Sequence, residues 1–449
     1  MKSYKFYLYM PILVLLLFGV VSCKKSFFSD VNNNPNAPAP SSIVPANLLP
    51  TVEVALAYTQ GGDYSRYSSL ITQQTTGISR QAAAYNSYIF TSQDFDQLWG
   101  NFYTSVMEND KTLMQISDSK GYNWYSGISR IIMAYSLQLM VDAWGPVPYS
   151  QALKGVDQFH PTYDNDKALY DTVLNLASTG IDELSKADPG GQSPGGDDFI
   201  YSGDATSWIK FGHAIKARIY IHQSKGDPAM AALALDEASK SLASNSDNAQ
   251  VEFQSSATSA NPWFQFNDQR TDISFNSGYF AQQLIAMNDP RQPILFDKVN
   301  DVLLYYGNDN SPVEFIAYDE MQFVQAEATL RTSGNIANAQ TFYQAGIRAN
   351  MEKLGVSSAD INTYLAAHGT LPGSVDAAIQ QVAYQEYIAL YLNPEAWSLW
   401  RRTGVPAITP TVGNNIPRRL LYPQSEVSYN GANVPKQVTL YNPKVFWDK

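Results

Sequence analysis

Apolar residues recur at three- and four-residue intervals through stretch after stretch of this chain, each closed by Gly, Pro or Asn, and that period commits most of it to amphipathic helices. The spacing predicts a helix over 45–59 and another over 95–116, where Leu98, Phe102, Val106, Leu113 and Ile116 keep one face apolar. Ile128, Ile132, Tyr135 and Leu139 carry the same stripe over 127–143, which stops at Trp144-Gly145-Pro146. A returning helix is expected over 167–186. Pairs then follow over 206–223 and 228–244, 312–331 and 335–354, and 376–392 and 394–402. Small residues Ala326, Ala328, Ala339, Ala345 and Gly346 let one such pair approach closely. Helix pairs of about 34 to 40 residues suggest tetratricopeptide-like units, here separated by unequal insertions. The expected fold class is mostly α, a tetratricopeptide-like helix-pair scaffold with long loop insertions packed on it, forming a single body over 42–449.

Two insertions stand out. Residues 188–197 are rich in Gly and Pro, but no strand precedes them and no Lys-Ser/Thr follows, so they read as a plain loop and not a phosphate cradle. The longest insertion, about 250–310, holds Asn261-Pro-Trp-Phe-Gln-Phe-Asn-Asp-Gln-Arg-Thr-Asp272, and loops of that length are usually functional.

The single cysteine excludes an internal disulfide and a cysteine-built metal site. It stands at position 23, behind Lys2, Lys5 and an apolar run over 11–21 that is too short to span a bilayer. Val20-Val21-Ser22-Cys23 resembles a bacterial lipobox, in which the leader is cut before the cysteine and lipid is attached to it. The expectation is a signal peptide over 1–22, a lipidated Cys23, and an Asn/Pro/Ala-rich flexible tether over 23–41. The membrane is then touched through the lipid alone, and losing Lys2 and Lys5 takes the net charge from −11 to −13.

Charge and composition narrow the ligand. A pI near 4.9 without a basic stripe excludes nucleic acid. Only 16% of residues are charged, while Tyr numbers 29 and Trp 8, a balance that suits neutral polar surfaces with aromatic faces.

Five segments together resemble a known family, the SusD/RagB-like outer-membrane lipoproteins of Bacteroidetes. They are the Cys23 tether, Val141-Asp-Ala-Trp-Gly-Pro-Val-Pro-Tyr149, Trp208-Ile-Lys-Phe-Gly-His-Ala-Ile-Lys-Ala-Arg-Ile-Tyr220, Glu395-Ala-Trp-Ser-Leu-Trp-Arg-Arg-Thr-Gly404 and Ile416-Pro-Arg-Arg-Leu-Leu-Tyr-Pro-Gln-Ser-Glu426. The resemblance covers essentially the whole mature chain and is strongest to the SusD-like branch of unassigned substrate. It implies a lipid-anchored, surface-exposed outer-membrane protein that captures a nutrient for a SusC-like TonB-dependent transporter. The nutrient it implies is an oligosaccharide or, as in RagB-like members, a peptide. The motifs themselves read as structure: Trp144-Gly145-Pro146 is a helix stop, Arg401 and Arg402 suit a helix C-terminus, and Trp397 and Trp400 pack inward.

Catalysis finds little support. His160, His213, His222 and His368 are scattered, with no His-Glu-x-x-His pair, and His213 and His222 sit nearly opposite on one helix. No metal ligand set, catalytic residue or cofactor is assigned, though calcium on loop carboxylates stays open as a structural ion. Asp94, Asp96, Asp197, Asp198 and Asp204 read as solvated loop acids and helix caps rather than a glycosidase pair. Sugar binding instead wants aromatic faces beside amides and arginines. Trp263, Asn267, Asp268 and Arg270 offer these in the long insertion, and Arg80 and Tyr85 in the segment between the first two helices. Replacing Trp263 would then weaken binding more than it lowers the melting temperature.

Overall fold

The computed structural model describes residues 43–187, 192–256 and 259–449. The expected leader, Cys23 and the tether up to residue 41 lie outside them. From Pro45 onward the chain is one body.

Its helices are α1 (Pro45–Thr59), α2 (Ser65–Ile71), α3 (Arg80–Asn86), α4 (Asp96–Gly100), α5 (Glu108–Lys120), α6 (Asn123–Trp144), α7 (Asp166–Leu184), α8 (Ala205–Gln223) and α9 (Pro228–Ser239). There follow α10 (Pro262–Gln269), α11 (Gly278–Ala286), α12 (Gln292–Leu295), α13 (Tyr318–Ser333), α14 (Ile336–Lys353), α15 (Ser358–His368), α16 (Val375–Ala389), α17 (Glu395–Thr403) and α18 (Gln424–Tyr429). Strands are short: β1 (Thr76–Gly77) pairs with β3 (Ile273–Ser274), β2 (Ala249–Val251) with β6 (Val313–Ile316), and β4 (Phe296–Asp297) with β5 (Val302–Leu303), all antiparallel.

The long helices start on side chains that accept from their first free backbone N–H groups. Asn165 does this for α7, Asp204 for α8, Asp227 with Pro228 behind it for α9, Asn335 for α14 and Ser374 for α16. Consecutive helices then pack as pairs, α6 on α7, α8 on α9, and α13 on α14. A Cβ on Gly127 of α6 would stand 2.8 Å from the Gly180 carbonyl of α7, and one on Gly180 equally close to the Gly127 carbonyl, so this pair crosses backbone to backbone. Gly346 does the same service for α13 and α14, where a Cβ would meet the Phe323 ring at 2.8 Å.

Three expectations change. The helix expected from Pro312 starts at Tyr318, because Val313–Ile316 alternates as a strand against β2 and leaves Ala317 extended. The helix expected to reach Ser244 ends at Ser239. The insertion over 250–310 is no bare loop, since it holds α10, α11, α12 and three short strands, and its apolar side chains Trp263, Phe275, Phe280 and Leu284 join the core around α13 to α16.

The motif segments meet at the centre of the body. Asp142 and Trp144 of α6, Arg218 and His222 of α8, Glu395, Trp397 and Arg401 of α17, and Arg419 and Trp447 of the C-terminal segment are all buried. Arg401 Nη1 donates to the Asp142 and Arg418 carbonyls, Trp397 Nε1 to the Pro417 carbonyl, and Trp144 Nε1 to the Leu421 carbonyl. Arg402 sits in the last turn of α17, as the sequence suggests, and is buried between Glu327 and Glu386.

Candidate functional site

Below Thr59 the first helix does not stop. Gln60–Tyr64 widens into a π turn with Gly62 out of helical geometry (φ −88°, ψ −115°), and α2 continues from it. Such turns recur at functional sites because they re-aim side chains. Here the turn forms one wall of a cleft of about 750 Å³. The other walls are α3, the segment 91–101 that contains α4, and α10 with the residues up to Ile273.

Each wall is fixed by polar contacts. Tyr85 Oη donates to Asp94 Oδ1 at 2.6 Å, while Asp94 Oδ2 accepts from the Thr91 backbone N–H and hydroxyl. Burial, then the bond to Asp94 and its charge, pushes the Tyr85 phenol well above its ordinary range, so it stays a donor. Tyr67 Oη donates to the Asp94 carbonyl. Arg66 pairs with Asp63 and lies over the Phe266 ring, 4.6 Å from its centre. Asp272, buried at the cleft margin, takes Ser79 and Arg80 on Oδ1, and Arg270 stands 3.9 Å from Oδ2.

What remains unpaired is as informative. The side-chain amides of Gln81, Gln93 and Gln269 line the cleft and bond to no other described residue. Gln93, Gln97 and Asn101 stand at four-residue steps along one wall, and Gln265 and Gln269 at the same step along another. The cleft is therefore a largely uncharged, amide-lined trough whose three acids are each engaged in holding a wall.

The structure brings Tyr85, Arg80 and Arg270 together around this trough. Tyr85 and Arg270 line it, and Arg80, its side chain 66% exposed, sits at its edge with a left-handed backbone (φ 48°). Asn267 and Asp268 lie on α10 outside the lining residues. Trp263 is elsewhere than expected: it is 3% exposed, its Nε1 donates to Ser65 Oγ at 2.9 Å, and the edges of Phe266 and Phe275 pack on it. It supports the α10 wall from behind and offers no face to a ligand. Sequence reasoning missed Asp63 of the π turn, Arg66 of α2 and the glutamines. Their signal was the four-residue spacing of amides, together with Asn261-Pro262, an N-cap and first-turn proline that announce α10.

Of the acids expected to be solvated, Asp204 caps α8, but Asp198 is buried and accepts from the backbone N–H groups of Ile200, Tyr201 and Gly203 and from Trp208 Nε1. Among the described residues, Asp142, His222 and Glu395 bring metal-ligating atoms within 4.8 Å of one another. Their atoms are already engaged. His222 Nε2 bonds Glu395 Oε1 at 2.7 Å, His222 Nδ1 bonds Tyr170 Oη at 2.8 Å, and Asp142 Oδ1 accepts from Tyr170 and Trp447. This is the arrangement of a protonated imidazole between two carboxylates. No helix among the described residues is long and apolar enough to cross a membrane.

Comparison with known proteins agrees with this architecture. The family profile SusD-like, described as starch-binding and associating with the outer membrane, matches residues 35–307 and 296–423. A SusD/RagB family protein from Bacteroides thetaiotaomicron superposes with a TM-score of 0.72 at 21% identity, covering 91% of this chain and 99% of that one. A chitin-binding protein superposes at 0.75 with 22% identity, covering 90% and 100%. A Bacteroidetes SusD-like protein superposes at 0.76 with 18% identity, covering 91% and 100%. No curated protein matches the sequence.

Proposed function

This chain belongs to the SusD-like family of outer-membrane-associated nutrient-binding proteins, and we propose on that premise that it captures an oligosaccharide in the amide-lined cleft and hands it unaltered to a SusC-like TonB-dependent transporter. It does so from the cell surface, anchored through lipid on Cys23. The observation that carries the ligand class is the set of unpaired glutamines. Gln81, Gln93 and Gln269 are exposed and each has donors and an acceptor uncommitted to the protein, so amides presented at a concave wall favour a ligand dense in hydroxyl and acetamido groups.

The same wall favours binding over catalysis. A glycosidase needs one carboxylate free to donate and another free to attack or to activate water. Asp63, Asp94 and Asp272 are each held by an arginine, a tyrosine or backbone donors. A peptide is the second reading, favoured by the Arg66–Asp63 and Arg270–Asp272 pairs, which could exchange partners with peptide charges.

Calorimetric titration of the mature protein with chito-oligosaccharides, malto-oligosaccharides and short peptides tests this. Binding of a glycan with no product after prolonged incubation is expected. Preference for peptides would overturn the ligand class, and time-dependent product formation would overturn the non-enzymatic reading.

A further inference from the structure

Beside the amide-lined cleft lies a second groove of about 520 Å³, bounded by α1, the loop 196–202, residues 251–254 and Ser259. Tyr58 lines both. Its hydroxyl is pinned by the Ala260 carbonyl and Gln265 Nε2, and Phe253 meets it edge-on with ring centres 5.1 Å apart, so the shared wall is rigid.

The groove contains what the first cleft lacks, an exposed aromatic ring. In the cleft, Tyr85 stacks on Phe90 and Phe266 lies beneath Arg66. In the groove, Phe199 is 50% exposed and makes no ring contact with any other described residue. Its backbone is nonetheless fixed. The Phe199 N–H donates to the buried Glu53 Oε2 at 2.7 Å, and Asp198 gathers three further N–H groups of the same loop. Ser202 is left-handed (φ 52°), and Gly203 (φ 84°) passes so close to the Pro194 carbonyl that a Cβ would stand 2.2 Å from it. The Gln254 carboxamide lines the same groove and has no partner among the described residues.

A hydrophobic side chain held half in solvent on a strained, heavily bonded loop is a platform. Its flat face suits the C–H face of a pyranose ring, and Gln254 suits the hydroxyls at the ring's edge. We propose that this groove is a second sugar subsite, with Phe199 as stacking platform, continuous over Tyr58 with the first cleft, so that one oligosaccharide chain occupies both. The proposal rests on the glycan reading of the cleft.

Calorimetry with chitobiose against chitohexaose, and maltose against maltoheptaose, tests it on the mature protein, Phe199→Ala and Gln254→Ala. The wild type is expected to bind the longer member of one series at least about ten-fold more tightly, since joined subsites act through effective concentration. Each variant should reduce that ratio to about two-fold or less while melting at the wild-type temperature. A wild type indifferent to length, or variants that keep the full ratio, would overturn the second subsite and leave capture in the first cleft standing. Failure of all four sugars to bind the wild type would overturn the glycan reading and this proposal together.

Discussion

His222 and Glu395, 173 residues apart in sequence, meet at 2.7 Å in the centre of the body, and the imidazole they share with Tyr170 and Asp142 is fully buried. Two of the segments that mark the family thus converge on a side chain of the helix that carries a third: α6 brings Asp142 and α17 brings Glu395 to His222 of α8. Trp447 of the C-terminal segment closes the group with a bond to Asp142 Oδ1. The family motifs are joints of the scaffold, and the cleft is hung on it.

That joint predicts a pH dependence. Burial alone would lower the His222 pKa, but the Glu395 and Asp142 charges outweigh it and raise it to about 9. The folded state then holds a proton that the unfolded chain releases near 6.5. Its stabilisation is complete below that value and is lost as pH rises through about 9, an effect of roughly 3 kcal/mol. Urea unfolding from pH 6 to pH 9.5 should show the decline, and His222→Gln should be less stable at pH 6 with a flatter slope. A wild-type slope unchanged by the substitution would place the proton elsewhere.

Glu53 predicts a second dependence at lower pH. Burial first, and the neighbouring Asp198 charge second, push its carboxyl well above the usual range, and Oε1 has no partner while Oε2 takes the Phe199 N–H. Because the folded pKa is raised, the contribution is present below the unfolded value and is lost as pH rises toward the folded one. Glu53→Gln keeps an acceptor for Phe199 and carries no charge, so it should match the wild type at acid pH and exceed it at neutral pH. Glu53→Ala should cost about 1–3 kcal/mol by orphaning that N–H. Thermal melts at pH 4.5 and 7.5 distinguish these outcomes.

The helix pairs were legible because a 3.6-residue apolar stripe over four or more turns has no competing explanation, as in α6, α7 and α8. The insertion was not, because α10, α11 and α12 are each nine residues or fewer and carry apolar side chains contributed to a core assembled elsewhere in the chain. The same shortness hid Trp263: in a presumed loop an indole reads as exposed, whereas on α10 it is the first-turn residue facing Ser65. The cleft escaped for another reason. Its glutamines carry no apolar signal, and Gly61-Gly62 reads as a helix stop where the chain makes a π turn and goes on.

Trp263 is therefore expected to matter for folding before binding. Its replacement by Ala empties a buried site and should cost about 3–5 kcal/mol. Trp263→Phe retains most of the volume but leaves Ser65 Oγ without its donor, a loss of about 1 kcal/mol. Denaturant midpoints should fall in that order. A Trp263→Ala protein that melts with the wild type would contradict the packing described for α10.

The cleft glutamines should behave in the opposite way. Gln81, Gln93 and Gln269 bond to no described residue, so removing one leaves no orphaned partner in the free protein. Gln→Ala at each should leave the melting temperature within about 1 °C of the wild type, because surface substitutions away from such features change stability by less than about 0.5 kcal/mol. In the complex each amide replaces bonds that the ligand made to water, a net gain of about 0.5–1.5 kcal/mol. Single variants should accordingly bind the captured oligosaccharide several-fold more weakly, and the Gln81→Ala/Gln269→Ala pair, on facing walls, more weakly than either alone. Calorimetry with unchanged affinity in all three single variants and in the pair would take the amides out of recognition and leave Arg270 and Tyr85 as the groups through which the cleft reads its ligand.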